Sequence, residues 1–225
     1  MAFIELENIE YSTKKRKLNK EKLFNGLDLK IENNAFVTII GDNGIGKTTL
    51  SKLIIGEINP DKGSVFLNGQ EVKAYERFEI GKMIGYLFQN EELQLFCNKI
   101  EEELLFSYEF GEGITEEIHT RFNNIIKELS LEKVLKTPIN KLSKGEKKRV
   151  AIGTILMNTP KFIILDEPTV GLDAKLIDDF RNIILKIYQQ GIGILLISHD
   201  MSFIKSLPTK IYKISTGGIV NECNI

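Results

Sequence analysis

The sequence has few cysteines and no long apolar stretch, and both absences exclude function classes. Cys97 and Cys223 are the two cysteines of the 225 residues, with neither a metal-binding spacing nor a disulfide framework. They are expected as reduced thiols, which points to the cytosol. Apolar runs such as "IGILLI" reach about six residues, whereas a membrane span needs roughly 20. Any membrane role is therefore expected to be peripheral. The opening "MAFIELENIEY" alternates apolar and polar residues, without a basic start and a following apolar stretch. It reads as a strand rather than a signal peptide. An excess of positive charge is also missing: 30 Lys and Arg stand against 31 Asp and Glu, for a net charge of −1. That balance argues against a nucleic-acid binder. No internal repeat or low-complexity segment is found.

What is present suits one large domain, or a core with a subdomain, since 42% of the residues are hydrophobic. Strands are expected at residues 3–9, "GLDLKIE", "AFVTII", "GSVFLNG", "MIGYLFQ", "KFIILD" and "GIGILLIS", with two more at the C-terminus. "STKKRKLNKEK" reads as a charged exposed loop. From about 98 to 158 the pattern is helical. Ile118, Phe122, Ile125, Ile126 and Leu129 share one helix face, behind Thr115 and two glutamates. A helix is also expected at about 174–190. The fold class is α/β: a parallel sheet flanked by helices, with an antiparallel β region and an inserted helical subdomain. The core is expected at about 1–90 and 159–225, and the helical subdomain at about 91–158. Cations cluster at Lys14–Lys17 and Lys144–Arg149.

"GDNGIGKTT", residues 41–49, matches G-x-x-x-x-G-K-[ST] between an apolar strand and a helical pattern. Gly41, Gly44 and Gly46 let the backbone turn tightly and bring its N–H groups to phosphates. Asp42, Asn43, Ile45 and Thr49 complete the loop. Lys47 is suited to the β- and γ-phosphates, and the Thr48 hydroxyl to Mg²⁺. "FIILDEP" delivers two acids to the end of a buried strand, where α/β sheets hold their ligands. Asp166 is the candidate for the Mg²⁺ shell, and Glu167 for orienting or deprotonating water. "LLISHD" places His199 after another buried strand, as a third catalytic candidate.

The order of the phosphate loop, "YLFQN", "LSKGE", "ILDEPTVGLD" and "SHD" resembles the ATPase subunit of ABC transporters, over nearly the whole chain. The resemblance implies ATP and Mg²⁺ as cofactors. It also implies a head-to-tail pairing with a second such subunit, two ATP molecules lying between the phosphate loop of one and the signature of the other. "LSKGE" stands where the family has LSGGQ: Ser143 and Gly145 remain, as donors to the γ-phosphate. Lys144 replaces a glycine and adds a charge suited to that phosphate, and Glu146 replaces a glutamine. Lys147 and Lys148 are expected on a solvated helix face. Gln89 corresponds to the glutamine that meets Mg²⁺ or water, and Asp173 to the aspartate that reaches across the dimer, with Gly171 and Leu172 as turn and packing residues. For the base, Thr13 falls where the family's stacking aromatic lies. Tyr11, two residues earlier, either stacks on adenine or belongs to the core.

"FQNEELQLF" is similar to energy-coupling-factor and cobalt-type importers, with Glu91 in place of a proline. In that group the ATPase pair docks on a membrane scaffold protein at the cytoplasmic face and powers uptake of a vitamin or metal ion. Leu93, Leu95 and Phe96 then line the scaffold's groove, or else belong to an interior helix. The chain is expected to leave no room for a regulatory C-terminal domain. The alternatives are a soluble switch of the same family acting on ribosomes or DNA, and a regulatory half of an asymmetric pair. Nucleic acid is not an expected partner.

Overall fold

A long antiparallel ribbon starts the chain, made of β1 (Ala2–Lys15) and β2 (Asn19–Glu32). The computed structural model describes residues 2–15, 19–109, 113–215, 218 and 220–223. The expectation of a loop at "STKKRKLNKEK" is corrected here: Ser12 pairs with Lys22 and Thr13 with Glu21, so the ribbon runs on into the charged stretch. Strand character is hidden there because polar residues occupy both faces and no apolar alternation survives. Within the ribbon Lys22 pairs with Glu10 at 3.0 Å. Arg16 and Lys17 of the basic cluster lie outside the described residues.

The chain continues with β3 (Phe36–Ile40), α1 (Lys47–Ile54), β4 (Lys62–Leu67), β5 (Gln70–Glu71), α2 (Arg77–Met83) and β6 (Ile84–Leu87). Then come α3 (Ile100–Glu109), α4 (Glu116–Glu128) and α5 (Lys144–Met157), followed by β7 (Phe162–Asp166), α6 (Ala174–Gln189), β8 (Gly193–Ile197), α7 (Met201–Lys205), β9 (Lys210–Ile214) and β10 (Val220–Cys223). Helix α2 is an addition to the sequence reading. Its capping box, Glu76 with Glu79, was the available signal.

Two sheets result. One is antiparallel, in the order β2-β1-β4-β5; the other runs β10-β9-β3-β8-β7-β6 and is parallel apart from the β9–β10 pair. Strands β7 and β8 are buried along their whole length, as apolar runs covered on both faces should be. Ile39, Ile164, Leu195 and Ile197 pack on one side with Leu50, Leu53 and Ile54 of α1 and the ribbon's Leu6, Ile9 and Leu27. Ile163, Leu165, Ile194 and Leu196 pack on the other, with α3–α7. Thr115 caps α4, accepting from the Ile118 N–H, and Ile118, Phe122, Ile125 and Ile126 are buried as their spacing predicts.

This topology positions the site. Ile39 pairs with Ile197, and Asp166 pairs with Ile197, so the C-terminal ends of β3, β8 and β7 lie side by side. The loops that leave these three ends carry residues 41–46, 198–200 and 167–173. Crevices at such strand ends are where open parallel sheets bind ligands.

Candidate functional site

The loop after β3 turns on glycines at positive φ: Gly44 at 80° and Gly46 at 114°. Gly46 is the N-cap of α1, and a Cβ there would sit 2.9 Å from Phe24 Cζ. Conformation and space thus both select glycine. Helix α1 carries no acid in its first turn, so its N–H groups and positive end present an uncancelled anion site. Lys47 Nζ donates to the carbonyls of Gly41 at 2.8 Å and Asp42 at 3.1 Å, which fixes the ammonium within the loop.

Thr48 and Asp166 meet across the cleft. Thr48 Oγ1 donates to Asp166 Oδ2 at 3.0 Å, and the Tyr86 hydroxyl donates to the same oxygen at 3.1 Å. The other oxygen, Oδ1, is buried and has no hydrogen-bond partner. Burial pushes the Asp166 carboxyl above its ordinary pKa; the Thr48 and Tyr86 hydrogen bonds and Lys47 pull it back, and Glu167 pushes it further up. Tyr86 and Ser51, whose hydroxyls lie 2.8 Å apart, were missed by the sequence reading. A tyrosine in the otherwise apolar "MIGYL" was the signal. Burial beside Asp166 raises the Tyr86 pKa, so the phenol stays a donor.

Glu167 holds φ at 47°, rare for a residue with a side chain, and its N–H donates to Ile197 O at 2.8 Å. The strained turn aims its carboxylate at His199, whose Nδ1 lies 2.8 Å from Oε2. A cleft of about 560 Å³ brings together Asn43, Gly44, Gly46, Lys47, Thr48, Thr49, Gln89, Asp166, Glu167 and His199, with Val170 as an addition.

Six predicted site residues do not line the cleft: Gly41, Asp42 and Ile45 stay within the phosphate loop, and Tyr11, Ser143 and Gly145 lie elsewhere. Tyr11 is half-buried against the ribbon core and does not line the cleft. Ser143 is the exposed N-cap of α5, and Gly145 is buried two residues on, within the first turn, where a Cβ would meet Leu176 at 2.8 Å. The Ser143 hydroxyl donates to Glu146 Oε2 at 2.7 Å, and its N–H donates to the same oxygen at 2.8 Å. These bonds hold the Glu146 carboxyl below its ordinary pKa. The Lys144 ammonium lies against Gly171 of the same chain, where a Cβ would be 2.2 Å away. Asp173 caps α6, accepting from the Leu176 N–H at 2.9 Å.

The expectation of a solvated face for Lys147 and Lys148 is overturned. Lys148 is fully buried, 3.7 Å from Glu91, itself 3% exposed; Lys147 pairs with Glu92 at 2.8 Å. Helix α5 is buried on most sides, so a polar face cannot be read from its periodicity.

Beyond these acids, Leu93 and Phe96 are exposed at 74% and 68%, while Leu95 packs on the core. Phe96 meets Phe106 edge to face at 4.9 Å between ring centres. Both line a separate groove of about 570 Å³, with Ile80, Tyr86, Leu104 and Ile155.

The family model described as "ABC transporter" matches residues 24–170. The chain belongs to the ABC transporter family. It carries the family's ATPase cassette, of the energy-coupling-factor type. It is 33% identical to the energy-coupling factor transporter ATP-binding protein EcfA of Methanococcus maripaludis, over 98% of this chain and 78% of that one. The solved CbiO1 of Clostridium perfringens, part of the ABC transporter complex CbiONQ, has a similar fold: TM-score 0.87, 26% identity, 98% of this chain and 87% of that one. A dimeric bacterial ABC transporter cassette gives a TM-score of 0.80 at 27% identity, covering 98% of each chain. The cassette spans 38% of the length of a putative ABC transporter ATP-binding protein of Caldanaerobacter subterraneus, which it matches at 33% identity over 97% of its own length.

Proposed function

We propose that the chain hydrolyses ATP with Mg²⁺ and powers a membrane transporter of the energy-coupling-factor type, which takes up a vitamin or metal ion. The reading rests above all on one arrangement: Lys47, Thr48, Asp166, Glu167 and His199 face one cleft at the ends of three neighbouring strands. The donor set suits Mg²⁺ on a nucleotide. One hydroxyl, one carboxylate with a free buried oxygen, and the Gln89 amide are the sparse hard ligands that Mg²⁺ takes when phosphates supply others. Among the described residues no cluster of three or more His, Cys, Asp or Glu forms a protein cage for a metal. When bound, Mg²⁺ would neutralise charge on the transferring phosphoryl group.

The chain's own residues do the rest. The backbone of the phosphate loop and the start of α1 bind the phosphates, and Lys47 compensates their charge. Glu167 orients or deprotonates the attacking water, held in line by the hydrogen bond with His199. Gln89 reports from the cleft to the segment 90–96. In a head-to-tail pair, with another copy or a related ABC subunit, Ser143 and Gly145 meet the partner's nucleotide, while Asp173 reaches across the interface. Tyr11 remains the candidate for the base. The core at about 1–90 and 159–225 then works as one unit, and the helical part at about 91–158 as a second.

The membrane partner is assigned to the apolar groove with Phe96 and Phe106 at its rim, and the chain to the cytoplasmic face of the membrane. No described helix is long and apolar enough to cross it. Affinity capture from mildly solubilised membranes of the native cell, read by mass spectrometry, tests the transport part. Recovery of a scaffold membrane protein with a small substrate-binding membrane protein is expected. Recovery of ribosomal or DNA-associated proteins with nothing membrane-embedded would overturn it.

A further inference from the structure

The buried charges of Glu91 and Lys148 have no part in binding or chemistry as described, yet they join two functional elements. Glu91 follows the cleft residue Gln89 by two positions, and Lys148 lies on α5 five residues after its N-cap, Ser143. Their side chains are 4% and 1% exposed, with Oε2 and Nζ 3.7 Å apart, and neither atom has a hydrogen-bond partner. A charge pair with that geometry is a poor stabiliser, because desolvation outweighs what so long a contact returns. Burial accordingly pulls the Lys148 ammonium below its ordinary pKa, and Glu91 holds it up. Lys144 is the other cation acting on Lys148, and Glu92 with Lys147 is the charged pair beside it.

Further links tie the same segment to the same helix. Lys147 pairs with Glu92, and Gln94 Nε2 donates to Ala151 O at 3.0 Å and to Thr154 Oγ1 at 3.1 Å. Residues 91–94 therefore form a strap along α5 from Lys147 to Thr154. One end of the strap follows Gln89; the exposed Leu93 and Phe96 stand at the other.

We propose that Glu91 and Lys148 are a positioning pair, which locks the orientation of the α5 N-terminus, and so of Ser143 and Gly145, to the segment leaving Gln89. The inference rests on the ATPase reading of the cleft. The pair acts through the signature and not on the nucleotide loop, so its loss should slow turnover and spare ATP binding. Leaving one buried charge without its partner, or loosening the strap, lets the end of α5 drift from the geometry that closure on a phosphate demands.

The test uses Glu91→Gln, Lys148→Met and the double variant. Each single change is expected to lower kcat about tenfold or more, with KM for ATP within about threefold, and the double to lose no more than the worse single. Hydrogen–deuterium exchange, which does not depend on turnover, is expected to quicken at 139–149 and stay unchanged at 41–49 in Glu91→Gln, the conservative change that keeps side-chain volume. Singles with kcat within about twofold of the parent, additive losses, or unaltered exchange at 139–149 would overturn the positioning role. A parent chain without turnover would instead sink the ATPase reading, and the exchange result would still decide the strap.

Discussion

The Ser143 hydroxyl donates to Glu146 Oε2 of its own chain at 2.7 Å. The signature serine is thus already committed to a carboxylate, whose pKa its hydrogen bonds hold below the ordinary value. In the proposed head-to-tail pair, a γ-phosphate from the partner subunit would compete with that carboxylate and meet a like charge. Glu146→Gln keeps the capping box, since glutamine serves at that position, and removes the charge. ATP turnover at subsaturating nucleotide is expected to rise about threefold to tenfold. Steady-state phosphate release checks this; a fall in turnover would show the carboxylate to be useful.

His199 is mostly exposed, while Glu167 is nearly enclosed, and the two share one hydrogen bond. His199→Ala should lower kcat about tenfold to a thousandfold and leave ATP affinity within about twofold. A fluorescent nucleotide measures the affinity and single-turnover kinetics the rate. Equal losses in both would make the histidine a binding residue.

Asp166 carries a cost in the nucleotide-free fold. Its pKa is raised by burial, so the native state holds its proton more tightly than the unfolded chain does. A raised acid pKa means that stability is lost as pH climbs from the unfolded value through the folded one. Once ionised, the buried carboxylate is therefore destabilising without a cation to compensate it. Asp166→Asn is expected to raise the thermal midpoint without nucleotide by about 2–4 °C and to abolish the extra stabilisation that Mg²⁺ gives with ATP. Differential scanning calorimetry with and without Mg²⁺ reads both; a lowered midpoint would contradict the sign.

Gly46 is held to glycine by two constraints at once. Gly46→Ala combines a φ of 114° with a Cβ 2.9 Å from the Phe24 ring. A cost of roughly 1–3 kcal/mol is expected from the backbone alone, with ATP affinity lost. Calorimetric titration with ATP checks it. Adding Phe24→Ala should recover part of the packing term and none of the φ term.

In the proposed assembly, a change at Phe96 should separate transport from hydrolysis. Phe96→Ala removes an exposed ring at the groove rim, so folding stability should change by less than about 1 kcal/mol and ATP turnover of the isolated chain should hold. Co-purification of the membrane scaffold should be lost. Retained capture would move the docking surface elsewhere.

The cleft was legible in the sequence because phosphate chemistry constrains residue types at fixed spacing: Gly44, Gly46, Lys47 and Thr48 in one loop, acids at the end of "FIILD", His199 after "LLIS". The parallel strands were legible for a simpler reason, their uninterrupted apolar runs. Charge was read less well. The first ribbon continues through Ser12 and Thr13 against Lys22 and Glu21, where no alternation marks it. Lys148 looked solvated because its partner, Glu91, lies 57 positions earlier and no helical period relates them. The clue in the sequence was charge complementarity: acids follow "FQN" and lysines follow "LSKGE". Tyr86 was hidden in the same way, a polar tip on a strand residue, and its role emerged once β6 was seen beside β7.

The most direct measurement is Mg²⁺-dependent phosphate release from ATP by the purified chain, beside Glu167→Gln. The parent should hydrolyse ATP, and the variant should retain bound ATP while losing turnover about a hundredfold to ten-thousandfold. Undiminished release by Glu167→Gln, or a parent chain that retains no ATP, would contradict the assignment of this cleft as the site of hydrolysis.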